Sequence, residues 1–485
     1  MQQAYDGESC KCVLLAAYCL MHNMSGDHTL MDKITSLCKR RGFLFPGSEI
    51  YGGFAGTYDY GPHGVDLREN IVDAWKRAMY MHENMAMLDS SIFTAPRVWE
   101  ASGHVSGFND PLVVCLSCHS KLRADHLLES SDVSADEKMS EAELNELFDA
   151  HRRIVACPVC GKKTFGKVVQ KNLLATATLG AFEEEDEDVY LRGETAQGIF
   201  INFKNVLDAG LYSIPFGIAQ VGKAFRNEIS PRQFLFRKRE FEQMEMQYFV
   251  YSEDAARAYE QWRAERMAYY LELGIAQKNL RWKKHEHLVF YARDAWDIEY
   301  QYPFGWGELE GVHNRGDYDL TQHQTFSGVD LSVRDDKTGE RYVPYVIETS
   351  AGLDRTILMV FSEFYDEDEM NGEKRVVLRF PPAIAPVKVA VFPLLRNKPE
   401  LVEKARKVYA DLRRATNHRV RIVFDDNGNI GKRYRRQDEI GTPFCVTVDF
   451  QTLDDESVTV RERDTGKQGR VQIGELGAYV REHTA

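Results

Sequence analysis

The chain has 485 residues, 44% of them hydrophobic and 28% charged, a composition typical of globular proteins with roughly three domains. Its 74 acidic side chains outnumber the 61 basic ones, and the net charge of −13 argues against general binding of DNA or other polyanions. Beyond residue 33 no apolar stretch approaches the roughly 18 residues that a membrane span needs, so we expect a cytoplasmic protein without a membrane partner.

Residues 1–33 fit no other part of the chain and are treated as an N-terminal extension. Residues 12–21 form an apolar run as long as a signal-peptide core, but Asp6 and Glu8 precede it, which disfavours a secretory signal. We expect this extension to be disordered, or translation to start instead at Met24 or Met31.

An amphipathic helix is predicted next. Leu67, Ile71, Trp75 and Met79 recur every four residues and form one apolar stripe, which is followed by a predicted strand over residues 87–96. The stripe belongs either to the core of the chain or to an interface between two copies.

Two Cys-x-x-Cys pairs predict a structural zinc site. They are Cys115 with Cys118 and Cys157 with Cys160, separated by 38 residues. Four thiolates on two tight turns suit tetrahedral zinc, whereas four reduced, unliganded thiols are the alternative. We expect an insertion at about residues 112–165, with a capping box at Ser140 and Glu143 starting one helix and His151 on its surface rather than on the metal.

The most informative stretch is a predicted hairpin, residues 216–229 and 236–249, around Pro231. Because side chains alternate along a strand, one face collects Gln220, Arg226, Glu228, Phe241, Gln243 and Glu245. Ionisable groups are rarely buried without a partner or a ligand. This face therefore suits a nucleotide better than a hydrophobic core.

The segments that follow predict mixed structure. We expect a helix over residues 253–273, strands over 297–302 and 305–311, and a helix over 356–364. Few helices separate these strands, which favours an antiparallel sheet flanked by helices and hence an α+β fold.

From Val387 the pattern alternates strand and helix, as in an α/β unit, after a proline-containing linker. From Ala385 onward the chain carries 19 basic and 15 acidic residues. A basic cluster surrounds Tyr434 and consists of Lys432, Arg433, Arg435 and Arg436. Cations beside an aromatic ring suit single-stranded RNA, and a solvated basic helix is the alternative.

Several stretches together resemble the class II aminoacyl-tRNA synthetases, in their glycyl-specific version. The hairpin residues Phe225-Arg-Asn-Glu and Arg239-Glu-Phe-Glu-Gln-Met-Glu resemble motif 2, and Pro344–Arg355 resembles motif 3. Supporting stretches are Arg41–Gly53, Asp59–Pro62 and Tyr190–Gly198. The match runs in order from about Leu37 to the C-terminus.

The resemblance implies a domain plan. Residues 34–384 would form the catalytic domain, an antiparallel sheet flanked by helices with a zinc-ribbon-like insertion, and residues 385–485 an α/β anticodon-binding domain. The stripe-bearing helix and its strand resemble motif 1, which implies a homodimer.

The implied activity is the attachment of glycine to tRNA through an adenylate formed from ATP with Mg²⁺. Arginine binds phosphate oxygens with a planar fork, so we assign Arg226 to the α-phosphate and Arg355 to the γ-phosphate, with Phe241 stacking on adenine. Arg226, Glu228 and Arg355 are the predicted catalytic residues. The resemblance adds, on the ATP side, Asn227, Glu228, Phe236, Arg237, Glu308, Leu309 and Gly352. Glu308 would hold magnesium.

On the amino-acid side the resemblance implies Glu194, Glu245 and Ser350 around the glycine ammonium group. The remaining implied substrate residues are Arg123, Phe241, Glu242, Gln243, Met244, Glu348 and Gly352. Glycine would be selected by a wall that excludes a methyl group. Members commonly have proline where this chain has Gly193, which adds backbone freedom beside Glu194.

Two other readings are compatible with the same motifs. A synthetase-like protein without catalysis could serve as a nucleic-acid-binding accessory subunit, and a class II enzyme could activate another small amino acid.

Overall fold

The computed structural model describes residues 29–135, 139–180, 187–210, 212–229, 231, 233–285, 292–335, 338–370, 372–418 and 420–484. Of the N-terminal extension, residues 1–28 lie outside these ranges. Residues 30–33 at its end are helical, contrary to the expectation of disorder. Within the described ranges, no helix has both the length and the apolar character of a membrane span.

The first part of the chain supplies a long helix whose apolar stripe is internal. Its elements are α1 Leu30–Arg40, β1 Leu44–Pro46, β2 Tyr58–Tyr60, α2 Pro62–Tyr80, β3 Met85–Met87, β4 Phe93–Thr94, α3 Pro96–Ala101 and α4 His104–Gly107. Leu67, Ile71, Trp75 and Met79 of α2 are fully buried within the chain itself. This stripe is therefore core. The single strand predicted over residues 87–96 is replaced by the short strands β3 and β4.

The cysteine-containing insertion is a small unit with its own core. Its elements are β5 Asn109–Val114, β6 Lys121–Arg123, α5 Ala124–Glu129, α6 Glu141–His151 and β7 Val169–Asn172. Helix α6 begins with the predicted capping box, in which Ser140 and Glu143 bond each other's backbone N–H groups. His151 Nδ1 lies 2.8 Å from the Leu147 carbonyl oxygen and takes no part in the cysteine cluster.

The central part of the chain builds the large sheet. Its elements are β8 Ala175–Leu179, β9 Glu187–Leu191, α7 Ala196–Asp208, β10 Phe216–Phe225, β11 Glu240–Val250, α8 Ala255–Glu272, β12 Leu280–Lys284, β13 Asp294–Tyr302, β14 Gly305–Gly316, α9 Tyr318–Ser327, β15 Val333–Arg334, β16 Arg341–Tyr342, β17 Tyr345–Gly352, α10 Leu353–Phe364, β18 Tyr365–Met370 and β19 Glu373–Leu378. Seven strands pair in the order β12, β13, β14, β17, β11, β10, β3. Every pair is antiparallel except β10 with β3.

The two faces of this sheet differ in chemistry. Met244, Met246 and Ala351 point to one face and join the main hydrophobic core with residues of α2, α8 and α10. On the other face, helix α7 covers only one end, where Phe203 packs against Phe216 and Phe249. The rest of that face is polar, and we call it the polar face.

The C-terminal part forms a separate five-stranded sheet. Its elements are β20 Val389–Pro393, α11 Pro399–Ala415, β21 Ile422–Phe424, α12 Ile430–Ile440, β22 Phe444–Val448, α13 Phe450–Asp455, β23 Ser457–Glu462, β24 Gln468–Gln472 and α14 Leu476–Thr484. The order is β21, β20, β22, β23, β24, with the first three strands parallel. The predicted α+β fold with an antiparallel main sheet and a C-terminal α/β unit is confirmed.

Candidate functional site

The polar face is arranged in rows that cross the sheet. Because directly paired residues project to the same face, the register aligns Gln220, Glu245, Ser350, Gly311 and Asp297 in one row. A second row contains Gln247, Glu348 and His313. The alternation that the hairpin sequence predicts thus extends over neighbouring strands from distant parts of the chain.

A cavity of ≈ 110 Å³ opens at the hairpin end of this face. Most of the residues predicted for ATP line it, namely Arg226, Glu228, Phe236, Arg237, Phe241, Glu308, Gly352 and Arg355. The structure therefore brings the loop of the hairpin, strand β14 and the start of helix α10 together around one space.

Arg226 lies between two aromatic rings. Its guanidinium carbon is 5.0 Å from the centroid of Phe108 and 5.1 Å from that of Phe241, while Nε donates to the Gly193 carbonyl oxygen at 3.1 Å. The rings restrict the side chain to one plane, which orients the remaining N–H groups for an anionic ligand.

Arg355 is held at the opposite side of the cavity. Its Nη1 is 3.0 Å from the Glu308 carboxylate, Nε donates to the Phe236 carbonyl oxygen at 3.2 Å, and the guanidinium lies 4.5 Å from the Phe236 centroid. The Glu308 side chain is 52% exposed, so its carboxylate is accessible to a cation such as magnesium. Glu228 and Arg237 form a looser pair at 3.7 Å.

Some predicted residues lie elsewhere. Leu309 and Met244 are buried in the main core, with Met244 on the opposite face of the sheet from Gln243. Glu242 shares that opposite direction and forms a bidentate pair with Arg68 at 2.5 Å, although it also borders the cavity. The alternation of β11 explains why a contiguous run of five residues cannot present all its side chains to one ligand.

Two further predicted residues are tied to the insertion. Asn227 is exposed, and its backbone N–H donates to the Leu173 carbonyl oxygen at 2.7 Å. Arg123 binds Asp110 at 2.7 Å and also pairs with Asp125, so carboxylates of the insertion itself neutralise its charge.

Next to the cavity lies an acidic network formed by Glu194, Glu245 and Glu348. Thr195 Oγ1 donates to Glu245 at 2.5 Å, and Gln247 Nε2 donates to Glu245 at 2.8 Å and to Glu348 at 2.7 Å. Ser350 accepts from Gln243 at 3.2 Å. Glu194, Glu245 and Ser350, which the resemblance assigns to the ammonium group, are thus neighbours of Glu348, which it places on the substrate side.

His104, Gln197 and Arg315, which the sequence motifs do not indicate, support these carboxylates, and Asp319 in turn holds Arg315. His104 Nε2 lies 3.3 Å from Glu194, and Gln197 donates to Glu194 at 2.9 Å. Arg315, near the end of β14, donates to Glu348 at 2.8 Å and to Asp319, four residues further on in α9, at 2.7 Å. The i, i+4 spacing of Arg315 and Asp319 is the one signal visible in the sequence.

Burial and neighbouring charges set the protonation of the network. Burial and the carboxylates of Glu348 and Glu194 raise the pKa of Glu245 well above its ordinary value of 4.5, and the opposing effects of Thr195 and Arg315 are smaller. Burial opposes ionisation of Glu194 as well, but His104 and Arg315 hold its pKa well below the usual range. Burial alone would raise the pKa of Glu348. Arg315 and His313 outweigh this effect and lower the pKa to about 2.

Glu245→Gln is expected to raise thermal stability increasingly as pH rises. The folded wild-type chain retains a proton on Glu245 that the unfolded chain releases near pH 4.5, so wild-type stability falls with pH above that value. Glutamine cannot ionise, so the variant lacks this contribution to the fall of stability with pH. Thermal midpoints of both proteins between about pH 5 and about pH 8 test the effect. A midpoint difference that stays constant would contradict it, and Glu403→Gln, at an exposed position, is the control.

The four cysteines of the insertion fit a tetrahedral metal. Their sulfurs all lie within 4.8 Å of one another, with Cys115 to Cys160 at 3.6 Å and Cys118 to Cys157 at 3.7 Å. Four sulfurs that each bind zinc at 2.3 Å would be about 3.8 Å apart. The donor set and its spacing therefore match structural zinc, with no ligand position left open.

The C-terminal basic cluster divides into an exposed and a buried part. Lys432, Arg435 and Arg436 border a cleft of ≈ 800 Å³, where Arg435 pairs with Glu373 and Arg436 with Asp425. The prediction for Arg433 needs correction, because its side chain is 1% exposed and donates to the carbonyl oxygens of Pro393, Asp426 and Gly428. Helical periodicity explains this, since Arg433, Gln437 and Ile440 form the inner face of α12.

Two family models match this chain, one in the region of the large sheet and one in the C-terminal part. A family model described as tRNA synthetase class II core domain (G, H, P, S and T) matches residues 179–364, and one described as anticodon binding domain matches residues 388–483.

Relatives in several bacteria match along nearly the whole chain. A glycine–tRNA ligase of Borreliella burgdorferi is 49% identical over 459 residues, covering 93% of this chain and 97% of the relative. The glycine–tRNA ligase of Clostridium acetobutylicum is 48% identical over 467 residues, or 94% of this chain and 99% of the relative. The glycine–tRNA ligase of Caldanaerobacter subterraneus is 48% identical over 461 residues, which cover 93% of this chain and 98% of the relative.

Proposed function

Because the chain belongs to the glycine–tRNA ligases, a class II family, we propose that its polar face makes glycyl-adenylate from glycine and ATP before the glycyl group passes to tRNA. The resemblance drawn from the sequence motifs is confirmed by these relatives. The observation that carries the assignment of the site is the adjacency of a cavity lined by Arg226, Phe241 and Arg355 to a network of three carboxylates.

The chemistry requires positioning and charge rather than a side-chain nucleophile. The glycine carboxylate attacks the α-phosphorus of ATP, pyrophosphate leaves, and negative charge builds on the phosphoryl oxygens. Arg226 would bind the α-phosphate, Arg355 the γ-phosphate, and Glu308 a magnesium ion between phosphates. Phe241 would stack on adenine beside the guanidinium of Arg226.

The acidic network would bind the ammonium group of glycine. Glu194, held ionised by His104 and Arg315, supplies negative charge, while Glu245 would release its proton when the ammonium group arrives. Dense packing of the buried Thr195, Gln243 and Glu245 around this point would leave no room for a β-carbon.

Exchange of labelled pyrophosphate into ATP tests the assignment. The full-length protein should catalyse exchange with glycine and not with alanine or serine. Exchange with another small amino acid would favour a different specificity, and no exchange with any amino acid would favour the accessory-subunit alternative.

Several assignments beyond the reaction are also proposals. Residues 34–384 form the catalytic domain and residues 385–485 the anticodon-binding domain, and the four cysteines hold zinc. Two chains form a homodimer, supported by the exposed apolar side chains of Ile50 and Tyr51 and by Phe54, which is 58% exposed with the Arg239 guanidinium over its ring. Since its substrates are ATP and tRNA, we place the activity in the cytoplasm and expect no DNA partner.

The double substitution Arg435→Ala with Arg436→Ala is expected to weaken tRNA charging and spare pyrophosphate exchange. Both arginines border the C-terminal cleft, where Arg435 pairs with Glu373 and Arg436 with Asp425, and phosphates can replace these carboxylates. The slope of log affinity for tRNA against log salt should fall by roughly one to two.

Arg414→Ala is the matched control, because Arg414 is exposed on α11 of the same unit and pairs with Asp411. An equal loss of exchange and charging in the double variant would contradict the proposed division between the two domains.

A further inference from the structure

We propose that His285, Asp297 and His313 form a second metal site, for a divalent transition ion of the zinc type, on the polar face of the large sheet. His285 directly follows β12, Asp297 lies on β13 and His313 on β14. One ligand atom from each residue can be chosen so that all three lie within 4.8 Å of one another. The site is separate from the cysteine cluster of the insertion.

The distances around Asp297 favour a shared cation. His285 Nε2 lies 2.8 Å from one carboxylate oxygen and His313 Nε2 lies 3.9 Å from the other. Both ring nitrogens are buried, yet neither is aligned for a hydrogen bond. Ligands that bind tetrahedral zinc at 2.0–2.1 Å lie about 3.4 Å apart, between the two observed separations.

A carboxylate behind one histidine completes the arrangement. His313 Nδ1 lies 2.8 Å from Glu348. When an ion displaces the Nε2 proton, the neutral ring would donate from Nδ1 to Glu348 and direct the lone pair of Nε2 toward the ion. Glu348 is held in turn by Arg315 at 2.8 Å and by Gln247 at 2.7 Å. A metal-binding histidine whose other nitrogen donates to a fixed carboxylate is a common arrangement in metalloproteins.

The sheet also provides space and access. Gly311 is paired with Asp297, and a β-carbon at this position would lie 2.9 Å from His313 Nε2 and 3.6 Å from the Asp297 carboxylate. Glycine therefore keeps the space between the ligands open. The His285 side chain is 27% exposed, which gives an ion a path from solvent.

The ligand chemistry selects the class of ion. Two imidazoles and one carboxylate suit zinc, cobalt or nickel, whereas magnesium and calcium prefer oxygen ligands alone. Three protein ligands leave at least one position for water.

The site would act on the amino-acid pocket through Glu348. This consequence rests on the proposed function, whereas ion binding itself does not. A bound ion would fix the His313 ring and, through it, the Glu348 carboxylate. We therefore expect the KM for glycine to rise when the second ion is removed, with little change in the KM for ATP.

Cobalt titration of the metal-free full-length protein tests the site. Thiolate ligands give cobalt an intense charge-transfer band, and imidazole and carboxylate ligands do not. The wild-type chain should bind two equivalents, one with and one without this band. Binding of the thiolate equivalent alone would overturn the proposal.

Variants assign the second equivalent. His285→Ala and Asp297→Asn should each retain the thiolate band, which reports a folded insertion, and lose the other equivalent. Asp294→Asn, on the same strand and paired with Lys284, should bind both. Retention of two equivalents by His285→Ala would refute the site. If the KM for glycine is identical with one and with two ions bound, the proposed effect of the second ion on the glycine pocket is wrong. If pyrophosphate exchange is absent with one ion and with two, the result counts against the proposed function instead.

Discussion

Arg226→Ala is expected to reduce glycine-dependent pyrophosphate exchange by about 10²–10³-fold, the usual effect of removing one donor that stabilises transition-state charge. Arg226 is the cation that two aromatic rings and the Gly193 carbonyl oxygen hold at the hairpin end of the cavity. Its loss leaves charge on the α-phosphate without a partner. Exchange kinetics at saturating ATP, with tRNA affinity measured in parallel, provide the test, and tRNA affinity should stay unchanged.

Two further variants separate charge from geometry. Arg226→Lys keeps the charge but not the planar fork, and it should recover only part of the rate. Lys223→Ala removes a cation from β10, three residues before Arg226. Lys223 forms an exposed pair with Glu240, and this variant should retain wild-type exchange. Wild-type exchange in Arg226→Ala would exclude the residue from the reaction.

Cys157→Ser is expected to abolish metal binding by the insertion and to unfold that unit. Structural zinc contributes about 10–16 kcal/mol in small zinc-finger peptides, and the core of this insertion is comparably small. Zinc content by mass spectrometry and the rate of limited proteolysis within residues 112–165 measure the two effects. Chelator treatment of the wild-type protein should reproduce both.

A neighbouring substitution shows whether the thiolate is responsible. Val159→Ser lies in the same turn, where Val159 is 56% exposed, and it should leave zinc content and proteolysis unchanged. Proteolysis of Cys157→Ser at the wild-type rate would mean that the hydrophobic core alone maintains the insertion.

The hairpin could be predicted because its information is local. Alternation along residues 216–225 and 240–250 determines which side chains share a face, and the structure shows the same alternation in β10 and β11. The residues that support Glu194 and Glu348 could not be found this way. His104 and Arg315 come from separate elements, and only the register of the folded sheet brings them to the carboxylates.

Local sequence patterns do not determine whether a side chain faces the core or the outside of the chain. The stripe on α2 is compatible with a core or a dimer interface, and only the packing of α8 and α10 shows that it is core. In α12 the run of basic residues suggests one continuous patch, yet the helical period turns Arg433 inward. The composition of such a segment predicts a basic surface, whereas tertiary packing decides which of its basic residues are exposed on that surface.

The backbone link between the insertion and the hairpin has a consequence for oxidative stress. Leu173, just beyond β7, accepts the N–H of Asn227, and Leu174 forms a bridge with Arg226 itself. Oxidants that convert the cysteine sulfurs to disulfides would remove the thiolates that we propose to hold zinc, and would loosen this attachment. Peroxide would then slow glycine activation by displacing Arg226, a residue that peroxide does not itself modify. Treatment with a reducing agent and added zinc would restore the activity.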